Sequence, residues 1–366
     1  MKKKLISLLL SAALAVSMLT VPAFAAEGGE ADAALDETNE VVVTLGDTVT
    51  ASTVEDTDKT AADKTETTDS APAASTEKKQ ITYVALGDSI VAGVGLADVK
   101  YTNDSTTLYS VDMSPNFKGY SPDCYVGKVA TMMGLDRDHA INLGLPALTA
   151  PDLVDMVRDG QMPKMNMESG CWYKYPEFQD YIRKADVVSV QIGSNDAFVP
   201  CIVALGNATN WKSEALAASV LAGDLRASGS PASALIQGVK DMHLTRDERN
   251  ATWNLLTSEM SKICDRIYPQ TTAALISVVQ EIRKLNPDCQ ILLMGYTDPV
   301  PFIPCWHNYF KKLNKFEKQL AETYDLTYVA IPKAKTDLDV HPTISGHEYI
   351  AKKIVNSIEL PEDSAQ

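Results

Sequence analysis

Three segments of the chain carry side chains whose chemical types would let them act together on a carbonyl group. Ser89 closes the sequence Gly-Asp-Ser after the apolar run at 81–86, and a serine in a turn after a buried strand can be an exposed nucleophile. Asn195 lies in the sequence Gly-Ser-Asn-Asp after a second apolar run, and its amide could donate to an oxyanion. His341, in the sequence Asp-Val-His-Pro, could act as the base. Together these groups would suit acyl transfer.

Alternating strand and helix patterns supply the elements that would position these groups. Short apolar runs rich in β-branched residues predict five strands, at 81–86, 140–143, 187–192, 290–295 and 327–331. Amphipathic patterns predict helices at 125–133, 150–158, 255–285, 307–324 and 344–358. This alternation is typical of an α/β protein, and we expect a three-layer α/β/α sandwich with a five-stranded, mostly parallel sheet.

The order of these elements predicts that the chemical groups converge. In an open parallel sheet, functional side chains gather where the strands end. Ser89 follows the first predicted strand, and Asn195 follows the third. Residues 142–149 begin at the end of the second strand and continue beyond it, and His341 follows the fifth. Each segment alone is most often an ordinary turn, helix cap or loop. Their common position at one edge of the sheet is what favours an active site.

In order along the chain, these segments resemble the motif blocks of the SGNH hydrolases, also called the GDSL esterase/lipase family. The first block, at 83–93, has Ile90 where the family usually has leucine, and the third, at 193–196, matches Gly-x-Asn-Asp in full. The last, at 339–347, is close to the usual His-Pro…Gly-His ending. The resemblance covers residues 81–358 and implies a flavodoxin-like SGNH hydrolase fold and a serine esterase that requires no cofactor and no metal.

The resemblance also implies a role for each motif residue. Ser89 would be the nucleophile and His341 the base, with Asp339 behind the histidine. The oxyanion would be bound by the Ser89 backbone N–H, the N–H of Ala147 and the Asn195 side-chain amide. Asp88 is expected to hydrogen-bond the turn rather than to exchange protons.

Two positions depart from the family pattern. Ala147 stands where the family has a glycine. Its N–H can donate to the oxyanion without a conformational penalty only if φ is negative, because a positive φ is costly for a residue with a Cβ. Gly144 is the alternative donor. The position usually held by the triad acid is Leu338, so Asp339 is the first choice and Asp337 the second. A backbone carbonyl is the third, since the orienting group need only accept a bond from the imidazole Nδ1–H.

The composition divides the chain into four parts. Residues 1–25 have a lysine cluster, an apolar stretch and a small-residue cleavage pattern, so we expect a signal peptide that is removed after Ala25 and a secreted protein. Residues 26–80 are rich in Thr, Ser, Ala and acidic residues, which predicts a disordered linker. Residues 81–360 form the predicted hydrolase domain, and 361–366 a short tail.

Charge and motif content exclude several partners. The whole chain carries a formal net charge of −15 and shows no basic stripe, which argues against nucleic acid. No zinc-ligand spacing is present, and no segment after the signal has enough uninterrupted apolar residues to cross a bilayer. The expected partner is therefore a small-molecule, glycan or lipid ester.

Six cysteines in an exported chain permit up to three disulfides. We expect at least one bridge among Cys171, Cys201 and Cys305, which lie in segments near the predicted active edge. Cys264 and Cys289 could instead be buried thiols.

The substrate is predicted least sharply. Phe198 follows the Asn195 motif and is the expected substrate contact. The long segments that contain Trp172, Tyr173, Tyr175, Trp211 and Trp253 could form an aromatic platform or simply pack onto the domain. We expect a short-acyl or O-acetyl ester as substrate. A lipase or lysophospholipase of the same family, and a non-catalytic exported binding protein with the same fold, are the alternatives.

Overall fold

A computed structural model describes residues 80–99, 117–216, 231–301, 303–337 and 340–359. The predicted signal peptide, the predicted linker up to residue 79 and the tail lie outside the described residues. No helix in the described part of the chain combines the length and apolar character that a membrane span requires.

Five parallel strands form the sheet at the centre of the domain. They are β1 (Tyr83–Gly87), β2 (Ala140–Gly144), β3 (Val187–Gln191), β4 (Gln290–Met294) and β5 (Thr327–Val329). Their order across the sheet is β2-β1-β3-β4-β5, and every neighbouring pair is parallel. The five predicted strands and the α/β class are therefore confirmed, with β5 two residues shorter than the apolar run that predicted it.

Helices connect the strands. They are α1 (Ser89–Ala92), α2 (Tyr125–Met133), α3 (Ala150–Asp159), α4 (Phe178–Lys184), α5 (Ser194–Ala208), α6 (Pro231–Asp241), α7 (Arg246–Asn254), α8 (Met260–Leu285), α9 (Pro304–Thr323) and α10 (Ile344–Val355). A π-helical turn, Leu255–Glu259, joins α7 to α8. The sequence pattern had merged this turn with α8 into one predicted helix at 255–285.

Two hydrophobic cores lie on opposite faces of the sheet. Val84 and Leu86 of β1 point into the larger core with α3, α8 and α9, whereas Tyr83 and Ala85 point into the smaller core with α2 and α10. This alternation follows from the two-residue period of a strand, and it requires both faces of β1 to be apolar. The result is the predicted three-layer sandwich.

Helix α5 begins inside the Gly-Ser-Asn-Asp motif and was not predicted from the sequence. Ten of its 15 residues are buried, so it lacks the polar face that gives a surface helix its periodic pattern. It also contains Pro200, which normally argues against a helix interior. Burial on most sides explains both why the helix forms here and why its sequence lacks the periodic pattern that would predict a helix.

The expectation of a disulfide among Cys171, Cys201 and Cys305 was wrong for this structure, in which all six cysteines are buried free thiols. The Cys171 Sγ lies 3.0 Å from the Ser169 Oγ rather than near another thiol. The thiol of Cys264, one of the two cysteines that could have been buried thiols on sequence grounds, lies within hydrogen-bonding reach of both Cys201 and Cys305.

Glu317 is a fully buried carboxyl group on α9. Neither of its side-chain oxygens has a hydrogen-bond partner among the described residues. Burial raises the pKa of Glu317 well above its ordinary value, because the charged form would lose its hydration without any compensating bond. The folded protein therefore holds this carboxyl in its neutral form.

We expect Glu317→Gln to raise the free energy of unfolding at pH 7. The unfolded chain releases the Glu317 proton above about pH 4.5 while the folded state retains it, so the native protein loses stability as the pH rises toward the folded-state pKa. The glutamine variant has no such loss, and its advantage should grow by up to about 1.4 kcal/mol per pH unit. Urea unfolding between pH 4 and pH 8 measures this difference.

The control for this experiment is Glu322→Gln, because Glu322 is exposed on the same helix. That variant should show no advantage that grows with pH. If the Glu317 variant and the native protein kept a constant stability difference over this pH range, the buried carboxyl would not be protonated as described.

Candidate active site

Ser89 lies in a tight turn where β1 meets α1. Gly87, the last residue of β1, has a φ of +154°, and a Cβ on it would lie 2.0 Å from the Gln191 backbone oxygen at the end of β3. Only glycine lets the two strand ends approach this closely. Asp88 then caps α1 by accepting a 2.9 Å hydrogen bond from the Ile90 N–H. These two residues place Ser89 as the first residue of the helix.

His341 lies directly against this serine. Its Nε2 is 3.0 Å from the Ser89 Oγ, and both residues are buried. The loop that carries His341 is held by a 2.9 Å bond from the Asp337 N–H to the His341 carbonyl, and by a left-handed turn at Val340, whose φ is +63°. The expected nucleophile and base are thus within hydrogen-bonding distance although 252 residues separate them in the chain.

The acid behind the histidine remains a prediction. Asp339 and Leu338 lie outside the described residues. Asp337 holds the loop through its backbone, since its N–H donates to the His341 carbonyl and its own carbonyl accepts from Val340 at 3.0 Å. Asp339, Asp337 and a backbone carbonyl therefore keep the order in which the sequence ranked them.

The Asn195 side chain contacts the loop after β2, which carries Ala147. The Asn195 Nδ2 donates to the Leu148 carbonyl at 3.0 Å, which ties the start of α5 to this loop and leaves its second N–H for another acceptor. The N–H of Gly144 donates to the Asn142 Oδ1 at 2.9 Å and is therefore engaged. No backbone hydrogen bond among the described residues uses the Ala147 N–H. Of the two backbone donors considered, the Gly144 N–H is therefore engaged, and the Ala147 N–H remains the predicted donor.

Ala147 adopts the costly conformation. Its φ is +61°, in the left-handed region where a Cβ is unfavourable, so the condition that would have spared alanine any penalty is not met. The loop is supported from outside by Asp196, whose carboxylate accepts from the Ala150 N–H at 2.9 Å. Burial raises the pKa of Asp196 to about 7, partly offset by this bond.

A narrow cavity of about 20 Å³ adjoins Ser89 and His341, and we call it the Ser89 cavity. Phe198, the expected substrate contact, lines it. So do apolar and polar side chains that the sequence reasoning missed: Ile90, Gln191, Ser194, Tyr296, Thr297, Phe310, Ile331 and Val340. Tyr296 and Thr297 lie two and three residues after the end of β4, so their position at the carboxyl edge of the sheet could have identified them.

Asp88 joins three segments beneath this cavity. Its Oδ2 accepts from the Ser194 Oγ at 2.7 Å and from the Tyr296 hydroxyl at 3.1 Å, while its Oδ1 accepts from Ile90. Burial raises the pKa of Asp88, and the three donors oppose that shift. The side chain therefore has the structural role expected of it, and it also faces two residues of the cavity wall.

Two of the five aromatic residues of the predicted platform pack onto the domain instead. Tyr173 and Tyr175 pack against the larger core, and the Tyr173 hydroxyl donates to the Pro146 carbonyl at 2.8 Å, next to Ala147. Trp172 differs, because its side chain is 53% exposed and its Nε1 donates to the Met162 carbonyl at 3.1 Å. Trp211 and Trp253 are each 37% exposed.

A family model, the GDSL-like lipase/acylhydrolase family, matches residues 85–349. The chain belongs to this family. This GDSL-family protein is accordingly a carboxylic ester hydrolase with a serine nucleophile, as its Ser89–His341 pair indicates. No curated protein sequence matches it.

Several solved structures resemble this GDSL-family hydrolase. The lipase Lip_vut3 from a goat rumen metagenome has 13% identity and a TM-score of 0.44, with 76% of this chain and 97% of that chain covered. Phospholipase A1 from Streptomyces albidoflavus has 15% identity, a TM-score of 0.44 and coverages of 76% and 100%. A mutant of Axe2, an acetyl-xylooligosaccharide esterase from Geobacillus stearothermophilus, has 18% identity and a TM-score of 0.40, with 78% of this chain and 98% of that chain covered.

We expect Ala147→Gly to raise the free energy of unfolding by about 0.5–1 kcal/mol. The left-handed backbone costs alanine about 1–2 kcal/mol, and the greater freedom of glycine in the unfolded chain offsets part of the gain. The backbone N–H is kept, so esterase activity should also be kept. Urea unfolding and a kcat/KM measurement test both statements.

The matched control is Ala274→Gly in the interior of α8, where the change should lower stability by about 1 kcal/mol. Equal losses in the two variants would mean that Ala147 is unstrained.

Proposed function

We propose that this protein is an exported esterase that hydrolyses acetyl and other short-acyl esters, with Ser89 as the nucleophile and His341 as its base. The observation that carries the proposal is the small size of the Ser89 cavity. A cavity needs about 10–15 Å³ to hold one water molecule, so a volume of about 20 Å³ suits a group of roughly that size, such as the methyl of an acetyl ester.

The walls of the cavity support a short acyl group because they are tightly packed. Phe198 meets Trp306 edge to face with ring centroids 5.2 Å apart, and it meets Phe310 at 5.4 Å. All three rings are buried. A longer acyl chain would have to displace aromatic rings that are held on several sides, and a packed interior resists such displacement.

The proposed reaction is acyl transfer to Ser89 followed by hydrolysis of the acyl-enzyme. The Ser89 Oγ attacks the ester carbonyl while the His341 Nε2, at 3.0 Å, takes its proton. The oxyanion accepts from the N–H groups of Ser89 and Ala147 and from the free N–H of Asn195, and each such donor typically contributes ~10²–10³ in rate. His341 then gives the proton to the leaving alkoxide. Water repeats the cycle with the same base and releases the acid.

Two alternatives remain distinct from this proposal. A lipase or lysophospholipase would need room for a long acyl chain, which the Ser89 cavity does not favour. A non-catalytic binding protein would have no use for a serine and a histidine held 3.0 Å apart in a buried site. Both alternatives predict a different response to an acyl-length series.

We expect kcat/KM to fall about a hundredfold from 4-nitrophenyl acetate to the butyrate, because two methylenes are added and each poorly fitting methylene costs roughly tenfold. Phe198→Ala, or the milder Phe198→Leu, should shrink this drop by opening the cavity. Trp253→Ala, which changes an exposed ring away from the cavity lining, should leave the preference unchanged. Stopped assays of initial rate over acetyl, butyryl and octanoyl esters provide the measurement.

Several results would contradict the proposal. A preference for octanoyl esters would favour the lipase alternative, and no activity on any ester would favour the binding protein. A Ser89→Ala variant that still hydrolysed the acetate at the native rate would exclude Ser89 as the nucleophile.

Export is the second element of the proposal, and it is supported by the lysine cluster, apolar stretch and small residues at 1–25. When the full chain is produced in a bacterial host, the extracellular or periplasmic protein should begin at Ala26. N-terminal sequencing and intact mass measure this directly. Active protein that remained inside the cell with Met1 at its N-terminus would contradict it.

A further inference from the structure

Two hydroxyl groups in the wall of the Ser89 cavity donate their hydrogens to the same carboxylate, that of Asp88. The Ser194 Oγ and the Tyr296 hydroxyl both donate to the Asp88 Oδ2, at 2.7 Å and 3.1 Å. Each hydroxyl has a single hydrogen. Once that hydrogen points to Asp88, the group can offer only lone pairs to anything bound in the cavity.

A third hydroxyl of the wall, that of Thr297, also has its hydrogen engaged. The Thr297 hydroxyl donates to the Ile331 carbonyl, and its oxygen accepts from the Ala334 N–H at 3.1 Å. The Gln191 Nε2 donates to the Gly295 carbonyl at 3.2 Å, while its buried Oε1 has no hydrogen-bond partner among the described residues. The hydroxyls of Ser194, Tyr296 and Thr297 therefore have no hydrogen left for a bound group, whereas Gln191 keeps one N–H as well as an acceptor oxygen.

Asp88 adds a negative charge behind these acceptors, because three hydrogen bonds donated to its carboxylate favour the charged form, whereas Glu317 has none from the described residues. Its side chain is fully buried, so water does not screen it, and it directly precedes the nucleophile Ser89. A positive charge on the neighbouring His341 would favour the charged form of Asp88. His341 must, however, be neutral to accept the serine proton, so at that step it does not offset the Asp88 charge. An anion in the cavity would therefore meet lone pairs and a like charge, with few hydrogen-bond donors to compensate.

We propose that Asp88 determines the charge selectivity of the acyl site, so that the enzyme accepts small neutral acyl groups and rejects acyl groups that carry a carboxylate. This inference rests on the proposed function, in that it takes the Ser89 cavity to be the acyl site. Asp88 acts by its own charge and by turning the Ser194 and Tyr296 hydrogens away from the substrate. It is a specificity-determining residue, and it does not itself exchange a proton with the ester.

Three ethyl esters with acyl groups of the same branched shape test the proposal. Ethyl isobutyrate is apolar, ethyl pyruvate is a neutral acceptor with an activated carbonyl, and monoethyl oxalate is an anion. Each kcat/KM is divided by the rate constant for attack of neutral water on the same ester, a reference reaction in which the nucleophile carries no charge. In the native enzyme the normalised value for the oxalate should lie at least about tenfold below that for the pyruvate.

Asp88→Asn is the decisive variant because it keeps the shape of the side chain. The amide oxygen can still accept from the Ile90 N–H, while the amide nitrogen donates to Ser194 and Tyr296 and forces their hydrogens toward the cavity. The oxalate-to-pyruvate ratio should rise at least about tenfold. Tyr296→Phe keeps the charge, so in that variant the oxalate should remain rejected.

The outcomes separate this inference from the proposed function. Discrimination against the oxalate that survives in a folded Asp88→Asn protein, as judged by its melting temperature, would overturn the role of Asp88. Native enzyme that hydrolyses the oxalate as well as the pyruvate would overturn the selectivity itself, whether or not the variant folds. Native enzyme that fails on ethyl acetate as well would instead overturn the short-acyl function.

Discussion

The close approach of backbone at the ends of β1, β2 and β3 is the constraint on which the site depends. Gly87 passes so near the Gln191 carbonyl that no side chain fits between them, and a Cβ on Gly144 would lie 2.3 Å from the Ala92 N. The turn that holds Ser89 is thus enclosed between neighbouring strand ends. Because backbone atoms cannot rotate out of the way as side chains can, the position of the nucleophile is fixed by the sheet itself.

The parts of the fold that follow from local sequence were predictable. Strands buried on both faces leave continuous apolar runs, and all five were identified in this way. Ser89, Asn195 and His341 were predicted because motifs and strand ends coincide. The contact between Ser89 and His341 could be expected without knowledge of side-chain contacts, since parallel strands end at a common edge.

Features that depend on contacts between distant segments were not predictable. The φ of Ala147 is set by the loop that Asn195 and Asp196 hold from another helix, and the use of the Gly144 N–H by Asn142 shows only in three dimensions. Helix α5 is buried too completely to leave a periodic pattern. The cysteines misled because spacing along the chain says little about which thiols meet.

The contact between Ser89 and His341 also has a consequence in time. The two atoms that must meet lie 252 residues apart, and the histidine comes just before α10, which packs on the opposite face of the sheet from α3. During synthesis the nucleophile therefore leaves the ribosome long before its base. Hydrolytic activity can arise only after nearly the whole domain has been made and the last helix has docked. An incomplete chain therefore has no esterase activity inside the cell that produces it.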